Sequence, residues 1–335
     1  MKSVPSVCVV VPYYNGSKWI RRAIESIYRQ TIAANEVIVV NDGSKNEERD
    51  MLDLLAKEYP FTIIDKKNGG QGSARNAGVS HSTSEFICFL DQDDFYLDDH
   101  IYNLVMAIPR KDLRLGFVYG DAVEADGFGN IVRSSMITEH ASHPKRNITD
   151  LLKNDMFVLP SASIISRKAY DDVGGFDEQF TGYEDDDLFM RIFRKGYTNY
   201  FINKSVYVWC IHSDSTSYSI RMLRSRFLYF KKLAGLFPDD RERSRFYFRD
   251  CLMPRFGRFF IVDAVKSRIN KNNKDELIEI LRKYVKLVLE NRSVSYIYKL
   301  KLRVLFLLIE KFPIPPFFFI RMMLKMPFVR RIIAV

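Results

Sequence analysis

Short apolar runs at residues 7–11, 36–40, 61–64 and 86–90 alternate with segments of helical spacing, and that alternation narrows the available folds. Runs of this length, rich in β-branched and aromatic residues, read as strands. Between the first two runs, Trp19, Ile20, Ala23, Ile24 and Ile27 recur at helical spacing, and further helix-like segments lie at about 47–58 and 72–80. Strands alternating with helices imply βαβ units and a mostly parallel sheet. In an open α/β sheet, ligands bind beyond the carboxyl ends of the strands. The loops at those ends are Pro12-Tyr13-Tyr14-Asn15, Asn41-Asp42-Gly43-Ser44 and Asp91-Gln92-Asp93-Asp94. Three polar loops therefore converge on one edge.

The pattern then loosens. Residues 116–121 read as a strand, and Asp126-Gly127-Phe128-Gly129-Asn130 as a turn leading to Ile131-Val132. A strand-like run at 159–166 leads to a short helix at 167–173, broken by Gly174-Gly175-Phe176-Asp177. Residues 184–195 form a helix whose acidic first turn and basic last turn suit its macrodipole. A strand at 206–211 ends in His212. From about residue 220, helix-like segments rich in Arg, Phe, Tyr and Leu take over, with breaks at 271–274 and 312–316. The expected organisation is an α/β domain over 1–219 and a basic, mainly helical region over 220–335.

Charge supports that division. Residues 220–335 carry 27 Lys and Arg against 10 Asp and Glu, a net of +17, whereas 1–219 have 24 against 31, a net of −7. Such asymmetry suggests an acidic, cation-using body and a tail that meets anions. The 4 cysteines have no metal-like spacing, and Cys8, Cys88 and Cys210 lie in strand-like runs. They read as buried thiols of a reducing compartment. The run at 7–11, bracketed by Pro5 and Pro12, is too short and broken for a signal peptide and reads as a first strand, so a cytoplasmic location is expected. No uncharged apolar stretch reaches the roughly 18 residues of a transmembrane helix.

Three carboxylates in Asp91-Gln92-Asp93-Asp94 repel one another unless a cation sits among them. Alternating Asp residues suit Mg²⁺ or Mn²⁺, hard ions that share oxygen ligands with phosphates. A polar turn with a helix N-cap is the plainer reading. The cluster does not stand alone. Val9 to Asn15, Val40 to Ser44, Asn68-Gly69-Gly70-Gln71-Gly72-Ser73-Ala74-Arg75-Asn76, Leu90 to Asp94, Gly174 to Asp177 and Gly182-Tyr183-Glu184-Asp185 follow in order, with His212 last. The ordered set, over about residues 5–215, resembles the inverting glycosyltransferase family 2. The resemblance implies a GT-A fold, a nucleotide-diphosphate sugar donor, and Mn²⁺ or Mg²⁺.

It also implies roles for single residues. Asp42 would accept the imide N–H of a uracil; an Asx-turn is the alternative, but the strand-end position favours the ligand role. Tyr14 would stack on the base, or simply pack. Arg75, at a Gly-rich helix start, would meet a base carbonyl or a phosphate, with a surface salt bridge as its competitor. Pro12, Asn15 and Gln92 fall among the nucleotide-sugar-binding positions. Asp91 would contact the ribose or the metal shell, Asp93 would ligate the metal with Asp94 behind it, and His212 would add a ligand from the far side. The polar stretch at 213–217 would close over the diphosphate. Asp185 would be the catalytic base and Glu184 would orient the acceptor; Asp186 and Glu184 are the next candidates for the base, and with Asp187 they complete an acidic first turn that also serves helix stability. Asn41 stands where the family often has an acid, and Leu97 where it often has a proline.

In the tail, 299–309 pairs a cationic start with an apolar continuation, and 317–326 and 328–333 repeat the mixture. Such segments lie in membrane interfaces with Lys and Arg at the headgroups, each basic residue adding about 1 kcal/mol on an anionic leaflet. A helical cap on the catalytic domain or a homo-oligomer contact is the alternative. Nucleic acid has no recognition motif in its favour. The expected activity is transfer of a sugar from a UDP-sugar to a hydroxyl of a glycan or lipid-linked acceptor, for surface polysaccharide, at the inner face of the cell membrane. A sugar nucleotidyltransferase would need a Gly-rich, Arg-containing loop after the first strand, where Pro12-Tyr13-Tyr14-Asn15 stands. A catalytically inactive carbohydrate- or membrane-binding protein on the same fold is the non-enzymatic rival, against which Asp93 and Asp185 argue.

Overall fold

The computed structural model describes residues 4–212, 220–270 and 273–311. The chain divides into two compact units, Met1–Arg146 with Met156–Tyr218, and Asn147–Asp155 with Ser219–Val335.

The first unit runs β1 (Val7–Tyr13), α1 (Ser17–Tyr28), β2 (Glu36–Asp42), α2 (Asn46–Ala56), β3 (Thr62–Lys66), α3 (Gln71–Ser80), β4 (Phe86–Phe89), β5 (Phe95–Tyr96), α4 (His100–Met106), β6 (Leu115–Asp126), β7 (Ile131–Arg133) and α5 (Ile137–His140). After α6 (Ile148–Lys153), which belongs to the second unit, it continues through β8 (Ser163–Ser166), α7 (Arg167–Asp172), α8 (Glu184–Arg194) and β9 (Thr198–Ile211). The strands form one sheet in the order β3-β2-β1-β4-β8-β6-β9-β5, with β7 on β6. β3, β2, β1 and β4 are parallel, as the βαβ pattern requires. β8 runs antiparallel to both β4 and β6, so the sheet becomes mixed beyond β4.

β1 is buried along its whole length, as expected of a central parallel strand covered on both faces. Ile20, Ala23, Ile24 and Ile27 are the buried stripe of α1. The adjacent strands β2, β1 and β4 therefore bring their three polar loops to one sheet edge. The strand read at 206–211 is only the second half of β9. Its first half, with Asn199, Asn203 and Lys204, is too polar to read as a strand, and pairing with β6 forms it. The short α5 and β5, of four and two residues, are beyond what periodicity can show. All four cysteines are free and buried.

The second unit holds α6, α9 (Ile220–Leu236), a single π turn (Phe248–Leu252), α10 (Met253–Asn270), α11 (Lys274–Glu290) and α12 (Tyr296–Lys311). Phe230, Phe256, Phe260 and Tyr284 pack ring against ring, with centroids 5.3–6.2 Å apart. Gly257 is required there, because a Cβ would fall 2.2 Å from the Tyr284 hydroxyl. Arg255 donates to the Leu151 carbonyl (3.0 Å) and to Asp155 (2.6 Å), which ties the short segment around α6 to these helices. Among the described residues, no helix is long and apolar enough to cross a membrane.

Candidate active site

The loop after β1 is fastened to both neighbouring loops. The Tyr14 N–H donates to Gln92 Oε1 (2.8 Å), and Gln92 Nε2 donates back to the Tyr14 carbonyl (3.1 Å). Gly16 lets Gln92 approach, since a Cβ there would lie 2.4 Å from the amide. Asn15, in a left-handed conformation (φ 47°), donates its N–H to Ser44 Oγ and accepts the Lys45 N–H, both at 3.0 Å. Pro12 is buried in β1, whereas Tyr14 is 49% exposed and presents its ring at the loop.

Asp42, at the end of β2, is buried. Its Oδ1 accepts Lys66 Nζ (2.7 Å) and the Gly69 N–H (2.9 Å), and its Oδ2 accepts the Gly70 N–H (2.7 Å). A carboxylate offers about four lone-pair positions, so these three bonds leave room for one more donor. Asn41 is structural, donating to Asp65 (2.7 Å) and accepting the Ser44 N–H (3.0 Å).

Gly70 has φ 87° and opens α3, which carries Arg75 into the interior at 2% exposure. Arg75 Nη2 donates to Asp91 Oδ1 (2.6 Å) and Nη1 to Glu184 Oε1 (3.0 Å). Gln71 donates to the same Glu184 oxygen, and the guanidinium lies 5.2 Å from the Phe176 ring. Burial opposes the charge, but Asp91 and Glu184 hold the guanidinium protonated. Arg75 is thus a buried bridge between two carboxylates rather than a surface ion pair.

The acidic loop separates by function. Asp94 is buried, and its Oδ1 accepts the Cys210 N–H at 2.8 Å, anchoring the loop to β9. Asp93 Oδ2 and His212 Nε2 are 2.8 Å apart. Trp19 stacks on the His212 ring with centroids 4.4 Å apart. Arg22 Nη2 donates to the Asp93 carbonyl (2.9 Å). Burial, then the charge of Asp91, raises the Asp93 carboxyl above its ordinary value; burial, Asp93 and Asp91 push Asp94 well above it. Of the expected metal set, Asp93 and His212 come together, while Asp91 lies against Arg75. Among the described residues, no group of three or more His, Cys, Asp or Glu is arranged to hold a metal. The stretch expected to close over the diphosphate, 213–217, lies outside the described residues. Sequence spacing put Trp19 on α1 without assigning it to the site, and did not name Arg22, although their i, i+3 spacing places them on one side of that helix.

The four carboxylates opening α8 also divide. Tyr183, before them, is left-handed (φ 62°), an uncommon state for a bulky residue. Glu184, expected to orient the acceptor, is buried, with Arg75 and Gln71 both donating to its Oε1. Asp186 accepts the Met156 N–H (3.1 Å), and Asp187 pairs with Arg191 (2.7 Å). Asp185 is the one of the four that is not buried outright; its Oδ1 accepts the Asp186 N–H (2.8 Å). Its desolvation, then Glu184 and Asp186, pushes its carboxyl well above the ordinary range. Leu97 is explained as well: its N–H donates to the Val206 carbonyl (3.1 Å), a bond that a proline would forfeit.

A family model described as glycosyl transferase family 2 matches residues 8–174, and one described as the N-terminal domain of galactosyltransferase matches 159–212. The chain belongs to glycosyltransferase family 2. Among relatives in this family, chondroitin synthase of Escherichia coli is 31% identical, over 65% of this chain and 30% of that protein. The succinoglycan biosynthesis protein ExoW of Rhizobium meliloti is 34% identical, over 49% of this chain and 56% of that protein. An uncharacterised glycosyltransferase of Rickettsia felis is 30% identical, over 57% of this chain and 32% of that protein. The match spans about a third of the length of the Rickettsia felis relative. Two solved structures share the fold. S. aureus TarS 1–349 in complex with UDP-GlcNAc has a TM-score of 0.61 at 18% identity, covering 84% of this chain and 81% of that one. The mannosyltransferase PcManGT of Pyrobaculum calidifontis, in complex with GDP-Man and Mn²⁺, has a TM-score of 0.55 at 20% identity, covering 70% and 65%. The architecture is of the GT-A type, with a helical C-terminal part.

Proposed function

We propose that this protein is a metal-dependent, inverting glycosyltransferase that moves a sugar from a UDP-sugar to a hydroxyl of a glycan or lipid-linked acceptor, in surface polysaccharide synthesis. The observation that carries this reading is Arg75, buried between Asp91 and Glu184, which joins the acidic loop to the start of α8. Two elements that a transfer reaction needs side by side, a diphosphate-facing loop and a candidate base, thereby share one buried ion.

In this reading the ring of Tyr14 and the remaining lone pair of Asp42 receive the base, with Pro12 and Asn15 shaping the loop and Gln92 fixing it. Asp91 is held by Arg75 for the ribose. Asp93 and His212 fit a hard divalent cation. Their carboxylate oxygen and imidazole nitrogen, 2.8 Å apart, would be its two protein ligands. A pair of protein ligands with diphosphate oxygens and water is also the usual Mg²⁺ arrangement. Mn²⁺ or Mg²⁺ held there would neutralise charge developing on the departing nucleotide diphosphate. Asp185 takes the proton from the acceptor hydroxyl as its oxygen attacks the anomeric carbon opposite the leaving group, which inverts that carbon. Glu184 acts as a positioning residue through Arg75 instead of touching the acceptor.

The relatives that make chondroitin or take part in succinoglycan biosynthesis support a polysaccharide product, and the UDP-GlcNAc complex of TarS supports a nucleotide-sugar donor. The setting we propose is cytoplasmic and peripheral at the inner face of the membrane, supported by the buried free thiols and by the basic C-terminal unit. A donor screen by nucleotide release, with Mn²⁺ or with excess EDTA, tests the activity. Release from one UDP-sugar in Mn²⁺ alone is expected; full release in EDTA would remove the metal from the mechanism.

Arg75→Met should lower kcat/KM by at least about 10²-fold, because it leaves two carboxylates without their shared cation. Arg75→Lys should recover part of the rate, since an ammonium supplies charge without the forked geometry. Steady-state kinetics beside urea unfolding measure both; a wild-type kcat/KM in well-folded Arg75→Met would remove the bridge from the mechanism.

A further inference from the structure

The helix α12 presents an apolar face that the rest of its own unit leaves uncovered. Tyr296 and Ile297 are 76% and 66% exposed, and Leu300, Val304 and Leu307 lie between 46% and 50%. At 3.6 residues per turn, these five fall within one arc of about 100°. The opposite side buries Leu302, Leu305 and Ile309 in the helical core. Lys299 and Arg303 border the exposed arc on one side and Lys301 on the other, and Lys311 ends the helix. The one acid in α12, Glu310, is held by Arg282 at 2.6 Å. The pattern is a stripe of branched and aromatic side chains between two rows of cations.

We propose that this face of α12 docks on an anionic lipid bilayer, with Ile297, Leu300, Val304 and Leu307 entering the acyl boundary and Lys299, Lys301 and Arg303 meeting the headgroups. This deepens, and rests on, the peripheral attachment proposed above. Charge selects the occupant. A second copy laid face to face would oppose cations to cations. Residues 312–335 of the same chain contain no acidic residue, so they offer no partner to the flanks either. A negative surface with an apolar interior complements both parts of the pattern, and long basic side chains reach headgroups while their stems stay with the apolar stripe.

Full-length protein is mixed with phosphatidylcholine vesicles, with or without phosphatidylglycerol, and pelleted. Wild type is expected to pellet with the anionic vesicles, less so in high salt. Lys299→Gln with Lys301→Gln and Arg303→Gln should weaken partition by roughly a hundredfold, at about fivefold for each basic residue. Leu300→Ser with Val304→Ser and Leu307→Ser should weaken it by at least about tenfold. All six positions are on or beside an exposed face, and circular dichroism with thermal unfolding verifies the fold of each variant. If wild type pellets and both variants pellet equally well, attachment stands but α12 is not its site. If wild type fails to pellet, attachment and the α12 assignment fall together. A fluorophore on Val304→Cys, introduced beside native thiols that are all buried, reports the environment directly. A blue shift on adding anionic vesicles supports the proposal. Emission already blue-shifted without vesicles, and unchanged by them, would mean that protein covers the stripe, and light scattering would then separate a second copy from residues 312–335.

Discussion

Asp185→Asn is expected to slow sugar transfer by about 10²–10⁴-fold while leaving nucleotide affinity near that of the parent. Asparagine keeps the shape and the bond from the Asp186 N–H but accepts no proton from the acceptor. The same residue should set the acid limb of the pH profile. Its carboxyl is raised by burial, Glu184 and Asp186, and the base is the ionised form. Hence kcat/KM should fall as pH drops through a value above the ordinary Asp range of about 3.9, and the limb should vanish in the Asn variant. Stability should move the other way. A carboxyl whose folded pKa is raised supports the fold while protonated and weakens it once ionised, so the contribution is lost as pH rises through that raised pKa. At neutral pH the Asn variant should therefore unfold in urea no earlier than the parent. A wild-type transfer rate in Asp185→Asn would move the base to Asp186 or Glu184, each of which would first have to leave a buried hydrogen bond.

Asp93→Ala should abolish Mn²⁺-dependent turnover, by at least about 10³-fold, if stabilisation worth several kcal/mol is lost with the ion. Calorimetry gives a second readout: UDP should bind the parent more tightly with Mn²⁺ than without, and the variant equally in both. His212→Ala should fall between, because it removes one ligand of the pair and the stack on Trp19. A variant at Asp93 that keeps a Mn²⁺-dependent UDP affinity would place the ion elsewhere.

The three loops on β1, β2 and β4 were legible because apolar runs and turn residues are local signals. So was the acidic opening of α8, whose charges suit its dipole. What local spacing does not carry is how each carboxylate is used. Glu184 and Arg75 meet across 109 positions, and His212 and Asp93 across 119. Glu184, expected to orient the acceptor, is turned inward by the helix start and bonded by Arg75 and Gln71, a placement that local spacing does not carry. Arg75, expected at a base carbonyl or a phosphate, is packed by α3 beneath the acidic loop, which its place in the Gly-rich stretch does not reveal. The first half of β9 was silent because its strand character depends on pairing with β6 rather than on an apolar pattern.

Tyr14 and Gln92 trade two hydrogen bonds, and Gly16 leaves no space between them for a side chain. For an engineer this makes two loops one cassette. A side-chain change at Tyr14 would keep both bonds, because they run to its backbone N–H and carbonyl, whereas replacing the 12–16 loop alone would lose its fit to Gln92. Exchanging 12–16 together with 91–94 from one parent would keep the joint intact, and it is the smaller graft that should fail.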